Sequence, residues 1–134
     1  MPTSVTTFLM FEGDGEAAIR LYDSAFDSLE VITMDRHGPE EGDNEGTLRE
    51  GRFRLCGQEY RCNDSTIHHE FTFTHSISVF VECSDEPEQE KAFSVLSEGG
   101  QILMPLDNYG FSKRFAWVQD RFGVSWQLNL AGDA

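Results

Sequence analysis

The signals for strands and helices run along this chain in one order and then run again in that order. Val5 to Phe11 is a stretch of β-branched, apolar and aromatic residues closed by Glu12-Gly13-Asp14-Gly15, the mark of a strand ending in a turn. Ala18, Leu21, Tyr22, Ala25 and Phe26 follow at i, i+3, i+4, i+7 and i+8, which places one apolar stripe on a helix with Asp14 at its cap. Leu29 to Met34 reads as a strand, and Asp35 to Gly46, rich in Gly and acids, reads as an exposed loop. Thr47 to Leu55 and Glu59 to Cys62 form a hairpin about Cys56-Gly57-Gln58, with Phe53 and Leu55 on its buried face.

The second half repeats the order. Ser76 to Glu82 alternates, with Ile77, Val79 and Val81 on one face and Ser76, Ser78, Phe80 and Glu82 on the other. Asp85 and Glu88 have capping-box spacing, and the helix they open runs through Leu96 to a stop at Glu98-Gly99-Gly100. Ile102 to Met104, Phe115 to Val118 and Val124 to Leu130 supply three more strands. A shift of 70 places Phe11-Glu12 on Val81-Glu82 and Phe26 on Leu96, and a shift of 71 places Val31 on Ile102. The match fades after Met104, because the second copy is shorter between its later strands. The expected fold is therefore α+β, two βαβββ modules in one domain over residues 1–134. Module 1 covers about residues 1–63, a polar linker about 64–74, and module 2 about 75–134.

Length and charge limit what such a domain can do. At 134 residues the chain can bury a core without disulfides or a structural metal. Its net charge of -14 opposes docking on phosphate backbones or anionic lipid, so neither nucleic acid nor membrane is expected as a partner. A small anionic substrate would need Arg52, Arg54, Arg61 or Arg114 to converge locally. Cys56, Cys62 and Cys83 are odd in number and lack CxxC spacing, so they are expected as reduced thiols, Cys56 as a packing residue rather than a nucleophile. No apolar run approaches a bilayer span, and Met1 to Phe11 lacks a signal-peptide pattern, so the expected location is the cytoplasm.

Four segments carry a resemblance: Phe8-Leu9-Met10-Phe11-Glu12-Gly13, Phe53-Arg54-Leu55-Cys56-Gly57-Gln58, Ser76-Ile77-Ser78-Val79-Phe80-Val81-Glu82-Cys83 and Asp120-Arg121-Phe122-Gly123-Val124-Ser125-Trp126-Gln127-Leu128. Together they resemble the PhnB-like branch of the glyoxalase, bleomycin-resistance and extradiol-dioxygenase superfamily, the vicinal oxygen chelate proteins. The Asp-x-Phe-Gly-Val-x-Trp-Gln string is the most specific part. The resemblance implies paired βαβββ modules whose mixed sheets curl around a cavity, in a homodimer that can exchange modules between chains. Members of the branch are often described as 3-demethylubiquinone methyltransferases. This chain has no glycine-rich methyl-donor motif opening a helix after a strand, so that activity is not expected.

In metal-using relatives, His or Glu ligands sit on the first strand of each module and near the end of the closing strand. The resemblance carries those positions to Thr6, Ser76 and Gln127. Alternation agrees: with Ile77, Val79 and Val81 toward a helix, Ser76, Ser78 and Phe80 face the cavity. With Val124, Trp126 and Leu128 packed inward, so do Ser125, Gln127 and Asn129. Thr, Ser and Gln are neutral, weak donors, so no catalytic divalent metal and no other cofactor is expected. His75 becomes a ligand only through a one-residue slip that would turn Ile77, Val79 and Val81 into the cavity, and His68-His69 read as exposed linker residues.

Two functions follow from these residues. In the first, the protein binds a small organic molecule, with Phe8 and Phe80 as apolar walls and Thr6, Arg52, Ser76 and Gln127 as polar contacts. In the second it is an enzyme, either a lyase or isomerase with Glu50 as base beside Arg52 and Arg54, or a metal-dependent one with other ligands.

Overall fold

Strand β1 (Thr7–Phe11) turns through Gly13, at φ 117°, into helix α1 (Gly15–Ala25) in a computed structural model that describes residues 1–132. The chain then runs through β2 (Leu29–Arg36), a short 3-10 segment (Pro39–Asn44), β3 (Leu48–Leu55) and β4 (Gln58–Asp64). These strands form one sheet in the order β1-β4-β3-β2. β1 runs parallel to β4, and the other two pairs are antiparallel. The β3–β4 hairpin turns on two residues at positive φ, Cys56 at 49° and Gly57 at 81°, the geometry that matches a right-handed strand twist. Cys56 is accordingly exposed in that turn and not a packing residue.

Helix α1 covers one face of this sheet. Ala18, Ile19, Leu21, Tyr22 and Ala25 are buried on it, and Phe26 is buried at its end. They meet Leu9, Phe11, Leu48, Phe53, Leu55, Tyr60 and Cys62 from the strands. Phe53 stacks on Tyr60 with ring centroids 5.0 Å apart. Asp14 occupies the cap position expected of it, yet its side chain makes no capping bond. That role falls to Asp64 at the end of β4. Its buried carboxylate accepts from the Gly13 and Gly15 amides, both at 2.8 Å, and from the Leu48 amide at 2.8 Å. Gly15 is the residue that allows this approach, since a Cβ there would lie 3.1 Å from an Asp64 oxygen.

The second unit repeats the order: β5 (Val79–Glu82), α2 (Glu86–Ser97), β6 (Gln101–Asp107), β7 (Arg114–Gln119) and β8 (Ser125–Leu130), paired as β5-β8-β7-β6. Again the first strand runs parallel to the last and the other pairs are antiparallel. The two compact units meet in sequence at Glu70 and Phe71, within the polar stretch. Helix α2 starts from the expected capping box. Asp85 accepts from the Glu88 amide at 2.9 Å, and the Glu88 side chain reaches back to the Ser84 amide at 2.9 Å. Its buried face is Gln89, Ala92 and Leu96, with Gln89 donating to the carbonyls of Arg114 and Leu128 and accepting from Arg114.

Both sheets are open, and in each the edge strand farthest from the parallel pair is bulged. β2 shifts register between Val31 and Thr33 and between Asp35 and Arg36. β6 shifts between Ile102 and Met104 and again before Asp107. Such bulges bend a strand and raise its local twist. The fold is thus α+β, two four-stranded mixed sheets each backed by one helix.

Candidate functional site

Each sheet has one face covered by its helix and one face without a helix, and the second kind carries the chemistry. On the first sheet the strand registers align Phe8, Arg61 and Arg52 in one row, because Phe8 lies opposite Arg61 and Arg61 opposite Arg52. These residues alternate with Leu9, Phe53, Tyr60 and Cys62, which are buried toward α1. Phe8 is 53% exposed. The Arg52 guanidinium pairs with the Glu59 carboxylate, not with Glu50. Arg54 pairs with Glu30 at 3.2 Å. The acid and base that sequence alternation places together along β3 are thus drawn apart by partners on β4 and β2. Thr6 lies half-buried just ahead of β1.

The corresponding face of the second sheet holds a chain of hydrogen bonds between neutral groups. The Gln127 amide donates to the Ser78 hydroxyl at 3.2 Å, the Ser78 and Ser125 hydroxyls are 2.6 Å apart, and the Trp117 indole N–H donates to Ser125 at 2.8 Å. Phe80 lies opposite Gln127 and Gln127 opposite Trp117, so one row of this sheet reads Phe80, Gln127, Trp117. His75 bonds the Gln119 side chain and sets its ring edge-on to Trp117, with centroids 6.2 Å apart. Phe80, 52% exposed, neighbours Phe115 at 6.4 Å, and Phe111 and Tyr109 extend the aromatic cluster.

Ser76 sits apart from this network. The strand expected from Ser76 begins only at Val79, whose partner is Trp126 near the start of β8. The partner strand itself begins at Ser125, so residues before Ser78 have nothing to pair with. Ser76 is exposed, with its hydroxyl 2.7 Å from that of Thr74, and Ser78 takes the place beside Gln127 that alternation alone gives to either serine.

The Asp-x-Phe-Gly-Val-x-Trp-Gln string builds the turn that closes β7 on β8. The fully buried Asp120 carboxylate accepts from the amides of Phe122 and Val124, at 2.9 and 3.1 Å, and from the Trp126 indole at 3.0 Å. Gly123 has φ 97°, which an L side chain rarely adopts. Of the whole string, Ser125 and Gln127 are the side chains bonded into the network on the helix-free face. The sequence signature is therefore mostly a folding device.

Charge elsewhere is spoken for or shielded. Arg114 is held by Gln89, by Glu90 at 3.1 Å and by the Glu86 carbonyl, which takes it out of any anion site. His68 is 3.0 Å from a Glu12 oxygen, and that hydrogen bond holds the Glu12 carboxyl below its usual range. Burial, first of all, pushes the Cys62 and Cys83 thiols up to about 12, with nearby carboxylates adding to it. Neither is a nucleophile at neutral pH.

A metal at the superfamily's usual position would find poor donors. Thr6 and Ser76 offer hydroxyls, Ser76 outside the strand, and the Gln127 amide is bonded to Ser78. Among the described residues no group of three or more His, Cys, Asp or Glu side chains is placed to hold a metal ion. The donor types of Thr6, Ser76 and Gln127 do not fit a catalytic divalent cation.

Paired open sheets, each of strand, helix and three strands with its first strand parallel to its last, define the class: this is the glyoxalase/bleomycin-resistance fold of the vicinal oxygen chelate proteins. A family model described as 3-demethylubiquinone-9 3-methyltransferase matches residues 3–129, and the chain belongs to that family, the PhnB-like branch. A solved PhnB protein from Bacillus cereus with the same description is 47% identical, covering 96% of this chain and 100% of its own, with a TM-score of 0.90. Protein PA1353 from Pseudomonas aeruginosa is 24% identical over 98% of this chain and 100% of its own, with a TM-score of 0.79. The fosfomycin resistance protein FosX from Listeria monocytogenes, solved with Mn(II) and 1S,2S-dihydroxypropylphosphonic acid, shares the fold at 16% identity, over 99% of this chain and 95% of its own, with a TM-score of 0.61. No curated protein matches the chain.

Proposed function

We propose that this chain binds a small organic molecule against the helix-free faces of its sheets, without a catalytic divalent metal. The observation that carries the reading is the neutral network on the second sheet. Gln127, the closing-strand ligand position in metal-using relatives, is committed to Ser78, and Ser78 to Ser125. Rows of half-exposed aromatic rings beside a few fixed polar groups suit a compact organic ligand, with Phe8 as a wall on the first sheet's face and Phe80 on the second's. Mn(II) belongs to FosX, and the neutral Thr6, Ser76 and Gln127 argue against carrying it to this chain.

The methyltransferase description draws no support from the strand–helix junction where a methyl donor's anionic part would be held. The amides of Gly13 and Gly15 there already serve Asp64. An acid–base role for Glu50 loses the cation that alternation along β3 sets beside it, because Arg52 is paired with Glu59. The working unit in this reading is a cytoplasmic homodimer, supported by large apolar side chains left exposed in the single chain, among them Ile77 and Phe111.

Ligand-observed NMR with a library of small aromatic and aliphatic compounds, run with and without EDTA, tests the proposal. Binding insensitive to the chelator and weakened by Phe80→Ala supports it. Turnover or binding that appears only on addition of a divalent metal overturns it.

A further inference from the structure

Ten basic side chains face twenty-four acidic ones in this chain, so a basic group left without a partner is unexpected. The Arg61 side chain is such a group: it makes no hydrogen bond, ion pair or ring contact with any described residue. Its terminal nitrogens reach solvent, but its Nε is buried and has no acceptor. Across the β3–β4 pair, the Nε of Arg52 is also buried without an acceptor. Two positive side chains directly opposite on one sheet face repel, and a buried N–H without a partner costs further free energy. Glu59 offsets one charge by holding the far end of Arg52, and no carboxylate among the described residues pairs with the other.

We infer that Arg61 and Arg52 form the anion subsite of the ligand-binding face, and that the ligand is an oxyanion, a carboxylate or a phosphoryl-type group, carried on a small apolar body. The inference rests on the small-molecule reading above and adds the ligand's chemical class. An oxyanion set over this rung accepts from the free terminal nitrogens of Arg61, in the planar fork geometry that guanidinium groups favour, with the Arg52 charge beside it. Phe8, opposite Arg61 on β1 and 53% exposed, supplies a flat apolar surface on the other side. Asn63, two residues on from Arg61 along β4, has a buried Oδ1 without a donor, which a hydroxyl on the ligand's body would satisfy. Arg54 and Arg114 are excluded from the subsite by their own partners.

The test is amide-resolved NMR titration of the full chain with phenylphosphonate, benzoate, inorganic phosphate and, as the neutral counterpart, benzyl alcohol. The wild type is compared with Arg61→Gln, Arg61→Lys and the surface control Arg49→Gln. Phenylphosphonate or benzoate should shift the amides around Phe8, Arg52 and Arg61 saturably, and more tightly than benzyl alcohol. Arg61→Gln should weaken that binding about tenfold or more, Arg61→Lys should fall between, and Arg49→Gln should change nothing. Because Arg61 has no described partner to lose, Arg61→Gln should keep the thermal midpoint of the wild type, which separates lost binding from lost fold. Equal affinity in wild type and Arg61→Gln overturns the inference, as does the absence of saturable shifts with either organic anion. Inorganic phosphate binding as tightly as phenylphosphonate overturns the apolar-body part. If benzyl alcohol binds at Phe8 or Phe80 and the anions do not, the small-molecule reading stands and the anion subsite falls. If no organic probe binds, both fall.

Discussion

Asp64 does for α1 what the local sequence assigns to Asp14, and it does so across 49 residues of chain. A buried carboxylate that accepts three backbone N–H groups joins the end of β4 to the start of α1 and of β3. Removing it leaves three amides without acceptors. Asp64→Ala is expected to cost about 3 kcal/mol or more in urea unfolding, whereas Asp14→Ala, which loses no capping bond, should cost well under half of that. The thiols give a second prediction at this scale. A disulfide reagent at pH 8 should react quickly with one cysteine, Cys56, and reach Cys62 and Cys83 only on unfolding. Both buried thiols titrate higher in the folded chain, at about 12, than in the unfolded one. Their contribution to stability is therefore complete below the unfolded value near 9 and is lost as pH rises through 12, so urea midpoints should fall on the alkaline side of pH 9.

Elements were legible in the sequence wherever a period or a local chemical signal fixed them. The α1 stripe, the Cys56-Gly57 hairpin and the Asp85 and Glu88 capping box all sit within a few residues of their cause. What lay beyond reading depends on partners far along the chain. β5 starts at Val79 and not at Ser76 because β8 starts at Ser125, and alternation in Ser76-Ile77-Ser78 carries no record of that. Glu59 takes Arg52 from Glu50 for the same reason. Gln89 on the buried face of α2 breaks the apolar stripe because its amide bonds two carbonyls of the sheet, a need that arises only once helix and sheet meet. The site was half legible. Phe8, Ser78, Phe80 and Gln127 lie on the helix-free faces as alternation predicts, while the rows that set Arg61 beside Arg52 and Trp117 beside Gln127 emerge only from the strand registers. The turn before β8 provides the prediction at this scale. Gly123→Ala forces a side chain into positive φ and should destabilise by about 1 to 2 kcal/mol, with altered fluorescence from Trp126, which is bonded to the Asp120 that organises the turn. Phe73 Cβ, 3.7 Å from where the new methyl would lie, is at ordinary contact distance, so the cost is one of backbone conformation.

For the whole molecule, a net charge of -14 opposes docking on phosphate backbones and anionic lipid, and the proposed small-molecule binding uses the aromatic rings exposed on the helix-free faces. No helix among the described residues is long and apolar enough to cross a membrane. Light scattering at working concentration should give about twice the 15.2 kDa chain mass, and a single 15.2 kDa species would contradict the homodimer. The central proposal is that the ligand is bound without a catalytic cation at the positions that the resemblance carries to Thr6, Ser76 and Gln127. Its most direct test is elemental analysis of the protein purified without chelators. Transition-metal content far below one equivalent per chain, unchanged in Gln127→Ala, is the predicted result. One equivalent of Zn, Mn, Fe, Co or Ni per chain, lost in Gln127→Ala, would contradict it.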